Sequence, residues 1–195
     1  IAAGQAYGFR ADGPWQPDAG HWFDPDRLLV DPWATRIDRP YRHDARLLGR
    51  GRGAAGDTAG LMPKAILEPQ AGDGVPPPVS LAPGGLIYEV NVRGFSMLNP
   101  DIPAEERGTL SALKHPSVIA HLHSIGVTAV ELMPVTAWID ERHLPPLGLA
   151  NAWGYNPVTF MALDPRLAPG GIGDLRAVSD ALRAEGIGVI LDLVF

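Results

Sequence analysis

His115-Pro-Ser-Val-Ile-Ala-His-Leu-His-Ser-Ile-Gly-Val-Thr-Ala-Val-Glu-Leu-Met-Pro134 changes its hydrophobic period halfway along. Up to Ile125 the apolar residues 118, 119, 122 and 125 recur at helical spacing. Gly126 predicts the end of that helix, because a residue without Cβ takes the left-handed turn of a helix C-terminus at little cost. Val127 to Met133 then reads as an apolar strand, stopped by Pro134, which has no N–H for a ladder. The unit recurs downstream. Gly173 to Glu185 is an amphipathic helix with Leu175, Val178, Ala181 and Leu182 on one face, Gly186 closes it, and Ile187 to Phe195 is the next strand. Leu86-Ile-Tyr-Glu-Val-Asn-Val92 reads as a strand ahead of both.

Strand, helix, strand, helix, strand at these lengths predicts an α/β fold with a parallel sheet and right-handed crossovers. An open doubly wound sheet and a TIM (β/α)8 barrel both fit. The first crossover, Arg93-Gly94-Phe95-Ser96, holds one glycine where a dinucleotide fingerprint needs three, which disfavours the doubly wound fold. A whole barrel needs about 250 residues, so residues 86–195 would be its first three β/α units.

Two zones precede this one. Residues 1–48 are short strand and turn pieces rich in aromatics, punctuated by Asp12-Gly13-Pro14, Asp24-Pro25 and Asp31-Pro32. Residues 49–85 read as a connector, either disordered or an ordered loop packed on the barrel, with one short apolar stretch at Ala65-Ile66-Leu67 and a stiff Pro76-Pro-Pro78.

Of 195 residues, 46% are hydrophobic, enough for a core. Lys+Arg number 16 against 22 Asp+Glu, a net charge of −6, with no basic run. That balance argues against a nucleic-acid or anionic-membrane surface. The absence of cysteine excludes disulfides and thiolate metal sites. No apolar run approaches the roughly 20 residues that span a bilayer.

Candidate chemistry gathers at the carboxyl ends of the strands, where barrel active sites lie. Glu89, Asn91 and Arg93 alternate with apolar residues, which predicts one shared face. A structural network there competes with a site. Glu131, late in the second strand, reads mainly as a structural carboxylate. Asp192 lies in an apolar strand, where an unpartnered carboxylate is costly, so it is expected in a site or in a salt bridge. The loop after the second strand carries Trp138, Asp140-Glu-Arg-His143 and Asn151-Ala-Trp-Gly-Tyr-Asn-Pro157. Its aromatic faces suit the C–H face of a pyranose, but Trp and Tyr in a loop are more often core lids. The Asp140–His143 run reads as a solvated face, with no second ligand set for a metal.

Tyr88-Glu-Val-Asn-Val-Arg-Gly-Phe95, Pro103, Arg107-Gly-Thr109, His115-Pro116, Leu122 through Val135, Asn151 through Pro157 and Gly188 through Phe195 resemble, in order and spacing, the isoamylase-type glycogen debranching enzymes of the alpha-amylase superfamily. Tyr7-Gly-Phe-Arg10, Gly13-Pro-Trp15, Gly20 through Pro25 and Leu28 through Trp33 resemble the trailing part of the β-sandwich starch-binding-type module that precedes the barrel in that group. The resemblance implies retaining hydrolysis of α-1,6 branch linkages by an aspartate nucleophile and a glutamate acid/base, assisted by a third aspartate. It places all three beyond Phe195, so no catalytic residue is expected within residues 1–195. It implies that Asp192 supports the sugar at the cleavage point and that Tyr155 stacks on that sugar. Trp153 is a further substrate-binding candidate, and Glu131 and Arg93 are structural residues near the site.

By the same resemblance the partner is an α-glucan (glycogen, amylopectin or limit dextrin), and no cofactor is expected. The charge balance, the short apolar runs and the missing second ligand set add the expectation of no nucleic acid, no membrane and no metal. The resemblance implies a cytoplasmic setting. Branching enzyme, maltooligosyltrehalose trehalohydrolase and a non-catalytic glucan-binding protein are the alternatives. Ile1-Ala-Ala-Gly lacks an initiator Met and a charged leader, and the Gly188–Phe195 strand stops uncapped. Both ends read as cuts, so the chain is expected to be an inactive fragment with aggregation-prone strand edges.

Overall fold

The computed structural model describes residues 2–69, 79 and 83–195. The predicted parallel sheet is present over its second half. Strands β5 (Leu86–Val90), β6 (Val127–Leu132) and β7 (Gly188–Leu191) lie in that order. Both pairings are parallel, with Tyr88, Val130 and Val189 in one row and Glu89, Glu131 and Ile190 in the next. Helix α2 (Pro116–Ser124) lies in the connection from β5 to β6, and α3 (Ile172–Ala184) in that from β6 to β7.

Period two decides what each face of the sheet does. Tyr88, Val90, Val130, Leu132 and Val189 pack with Val118 and Leu122 of α2 and Val178 and Leu182 of α3. Residues of the other parity, including Glu89 and Glu131, face away from the helices. Ile102, Leu110 and Leu113, from the segment ahead of α2, complete the core at 1% exposure or less. A 3-10 turn at Leu110–Lys114 leads into α2, whose cap is His115, with its ring nitrogen accepting from Ser117 N. Pro116 takes the first helical position, where a missing N–H costs nothing.

Two expected boundaries move. The first strand ends at Val90 rather than Val92, because the Asn91 side chain accepts from Gly94 N at 2.8 Å and caps a short helix α1 (Val92–Ser96). Glu89, Asn91 and Arg93 therefore do not share a strand face: Glu89 is in the strand, Asn91 is the cap and Arg93 is helical. The third strand ends at Leu191, so Asp192 lies just past it, half-buried, donating N–H to Leu132 O at 3.0 Å.

The first zone is built from short antiparallel pairs. Strand β1 (Ala6–Tyr7) pairs with β4 (Ala65–Ile66), and β2 (Trp15–Gln16) with β3 (His21–Trp22). Residues 44–69, placed in the connector by sequence from residue 49 on, fold back onto this zone. Ala65, fully buried, sits between Tyr7 and Ile37. Buried Thr58 accepts from Leu28 N at 2.7 Å, and Arg27 donates to Leu47 O at 3.1 Å and to Gly49 O. Asp24 collects Asp26 N, Gly53 N and the Arg27 guanidinium. Burial works to raise its pKa, but those donors hold it below the ordinary carboxylate value. The Pro76–Pro78 run lies outside the described residues.

The first zone meets the α/β zone through backbone and small apolar contacts. Thr159 Oγ1 donates to Asp31 O and Pro32 O at 3.1 and 3.0 Å, and Ile37 packs on Ala137 and Ala162. Among the described residues no helix is long and apolar enough to cross a membrane.

Leu182, with no exposed surface, joins α3 to the sheet. Leu182→Ala is expected to cost about 2–5 kcal/mol through lost burial and the cavity left behind. Urea unfolding should show a lower midpoint at unchanged slope.

Candidate active site

The residues that gather at the carboxyl end of the sheet come from three places. Strands β5 and β6 bring Glu89 and Glu131, paired in register on the face away from the helices. The end of β7 brings Asp192. The loop from Met133 to Gly171 brings Trp153 and Tyr155. Tyr155 Oη donates to Asp192 Oδ2 at 2.5 Å. The Trp153 and Tyr155 rings meet edge to face, with centroids 6.2 Å apart. Both remain accessible, Trp153 at 66% and Tyr155 at 37% exposure, so their faces are open to a ligand and not used up in the core.

The electrostatics follow from this arrangement. The Asp192 hydrogen bond comes first in holding the Tyr155 phenol protonated. Desolvation and the charges of Asp192, Glu89 and Glu131 act in the same direction, and its pKa is pushed up to about 12. A phenol that ionises later when folded than when unfolded stabilises the fold fully below its ordinary value of about 10. That contribution fades as the pH rises through about 12.

The loop is held locally. Asn151 Oδ1 accepts from Trp153 N at 3.0 Å and Gly154 N at 2.9 Å, while Asn91, the α1 cap, donates from Nδ2 to Ala152 O at 3.0 Å. Gly154 has φ +87°, and a Cβ there would sit 2.9 Å from Pro134 O. Only glycine allows the loop to lie this close over the end of β6. Short bridges, Thr136 with Leu163 and Trp138 with Pro157, brace the loop's two limbs.

Other candidates fall elsewhere. Trp138 is a lid: 7% exposed, it donates Nε1–H to Asn151 O, and the Arg166 guanidinium lies over its ring at 4.0 Å. Arg166 in turn pairs with Asp164, which has no exposed surface. Asp140 and Glu141 accept hydrogen bonds from Asn151 and do not form a solvated run. Arg93 lines, with Asn91, Met133, Trp138 and Arg166, a cavity of about 380 Å³ behind the loop. The Asp164–Arg166 pair and the reach of Asn151 were not read from the sequence. Asp164-Pro-Arg166 carries no period or spacing that marks it, and Asn151 stood out only as part of its motif.

No family model matches the chain. In three dimensions it is similar to the catalytic module of the multi-modular glycogen-degrading pneumococcal virulence factor SpuA, with a TM-score of 0.60 and 20% identity over 85% of this chain and 25% of that one. It is also similar to pullulanase type I from Bacillus subtilis str. 168, with a TM-score of 0.56 and 23% identity over 88% of this chain and 24% of that one. The fold is therefore shared with these two proteins over the matched part. In sequence the chain is 43% identical, over 200 residues, to the glycogen debranching enzyme of Yersinia pseudotuberculosis serotype IB (strain PB1/+), and 44% identical to that of Yersinia enterocolitica serotype O:8 / biotype 1B. The matches take in 98% of this chain and 30% of each relative, so the chain spans under a third of their length. The likeness to glycogen debranching enzymes that the motifs suggested holds across nearly the whole chain.

Asp192→Asn replaces the anionic acceptor with a neutral one. The tyrosine ionising near pH 12 should move toward the ordinary value of about 10. An ultraviolet phenolate titration reads this, with Tyr155→Phe identifying the component by its disappearance.

Proposed function

We propose that this chain is a segment of a glycoside hydrolase that cleaves α-1,6 branch linkages in glycogen- or starch-type α-glucans with retention. Residues 86–195 then form the first three β/α units of a (β/α)8 barrel. The first zone, with residues 49–69 folded onto it, is the trailing part of a β-sandwich module. The observation that carries the reading is the Tyr155–Asp192 hydrogen bond beside an open Trp153 face at the strand ends, in a chain with debranching-enzyme relatives.

In this reading Tyr155 and Trp153 offer ring faces to glucose units, which pair apolar C–H surfaces with a polar rim. The Asp192 carboxylate accepts hydrogen bonds from sugar hydroxyls at the cleavage point, and its bond to Tyr155 fixes the ring at the height of that sugar. Glu131 and Arg93 support the surrounding structure. The nucleophile and the acid/base, with carboxyl groups about 5–5.5 Å apart in retaining enzymes, lie outside residues 1–195. The 195-residue chain alone is therefore inactive.

The intact polypeptide containing this segment should release linear chains from amylopectin and limit dextrin, and residues 1–195 alone should release none. New branches, or trehalose from maltooligosyltrehalose, would overturn the assignment in favour of another activity. In the intact enzyme Asp192→Ala should lower kcat/KM roughly 10- to 150-fold, the size of a hydrogen bond to a charged group.

A further inference from the structure

Asn151 does more at this site than its place in a loop suggests. It is 9% exposed and makes six hydrogen bonds. Its N–H donates to Asp140 Oδ1 at 2.8 Å, and its carbonyl accepts from Trp138 Nε1 at 2.9 Å. Its Nδ2 donates to Ile139 O at 3.3 Å and Glu141 Oε1 at 3.1 Å, toward the outgoing limb of the loop. Its Oδ1 accepts from Trp153 N and Gly154 N, on the returning limb. Only a carboxamide has two donors on one atom and two acceptor lone pairs on the other. A carboxylate cannot donate to Ile139 O or Glu141, and an apolar residue would leave the Trp153 and Gly154 amides unpaired.

We infer that Asn151 is a positioning residue, fixing the Trp153–Gly154 backbone so that the Trp153 face and the Tyr155 hydroxyl stand at the strand ends opposite Asp192. The sugar-binding purpose of that placement rests on the function proposed above. The geometry itself does not. Two further ties converge on the stretch from Asn151 to Tyr155: Asn91 holds Ala152 from the end of β5, and Gly154 lies on Pro134 at the end of β6. Asn151 adds the tie across the loop, so the aromatic pair is held by three ties, from the ends of two strands and from within the loop. Misplacement of about 1 Å at such a site costs on the order of a hundredfold in rate.

The test needs no glucan. At about pH 11 Tyr155 should be roughly one tenth ionised in the wild-type chain, and roughly nine tenths ionised in Asn151→Ala if the phenol leaves Asp192. Asn151→Asp keeps the Oδ acceptors and should hold Tyr155 protonated while lowering stability, a split that general loosening would not produce. An Asn151→Ala titration identical to wild type overturns the inference. If that variant does not fold, hydrogen exchange in the wild-type chain decides. The Trp153 and Gly154 amides should be protected, and exchange at the rate of an unstructured peptide overturns the inference. Titrations as expected here, with an intact polypeptide that releases no linear chains from amylopectin, would refute the proposed function and leave the positioning role standing.

Discussion

Strand β6 is the constraint on which the rest of the structure depends. It is the middle strand of the parallel sheet and pairs on both sides, with β5 and β7. Val130 and Leu132 face the helices and are almost fully buried, so a slip of one residue would turn them out and Glu131 in. That exchange would strand a carboxylate in an apolar core, which is expensive without a partner. The burial pattern of one six-residue strand thus sets the register of the sheet, and the register sets which side chains reach its open face.

The site inherits that order. Glu89 and Glu131 lie side by side on the open face, and Asp192 follows where β7 ends. The protonated Tyr155 phenol donates into this acidic group, and the same charges that surround it oppose its ionisation. Ring and carboxylate therefore hold each other in place. The loop that delivers the ring is held from the ends of β5 and β6 and across its own limbs by Asn151, a tight linkage for a segment with little regular secondary structure. Groups on loops act with precision when a rigid sheet fixes them in this way.

Much of this was legible in the sequence, for identifiable reasons. The α2–β6 and α3–β7 units announced themselves because each switches from helical spacing to an apolar run across a glycine. Tyr155, Trp153 and Asp192 were named from the motif resemblance, and the structure brings all three to one end of the sheet. Arg93 was misplaced on a strand face because period two was carried past Val90. The winning interaction was the Asn91 side chain on Gly94 N, a local cap that ends a strand as readily as it starts a helix. The fold-back of residues 49–69 was missed because short polar and glycine-rich segments carry no period. Their order comes from single hydrogen bonds to distant backbone, such as Leu28 N to Thr58.

The sequence by itself determined the α/β class, the parallel order of strands and helices, the apolar faces and the relationship to glycogen debranching enzymes. Those depend on local period, on glycine and proline punctuation and on motif spacing, all written along the chain. Only the tertiary structure decided that Asp192 stands beyond its strand with a phenol bound to it, that Trp138 is a lid while Trp153 is open, and that Asn151 ties the loop together. Each of these depends on groups up to 37 residues apart meeting within hydrogen-bond distance, and no one-dimensional pattern encodes that.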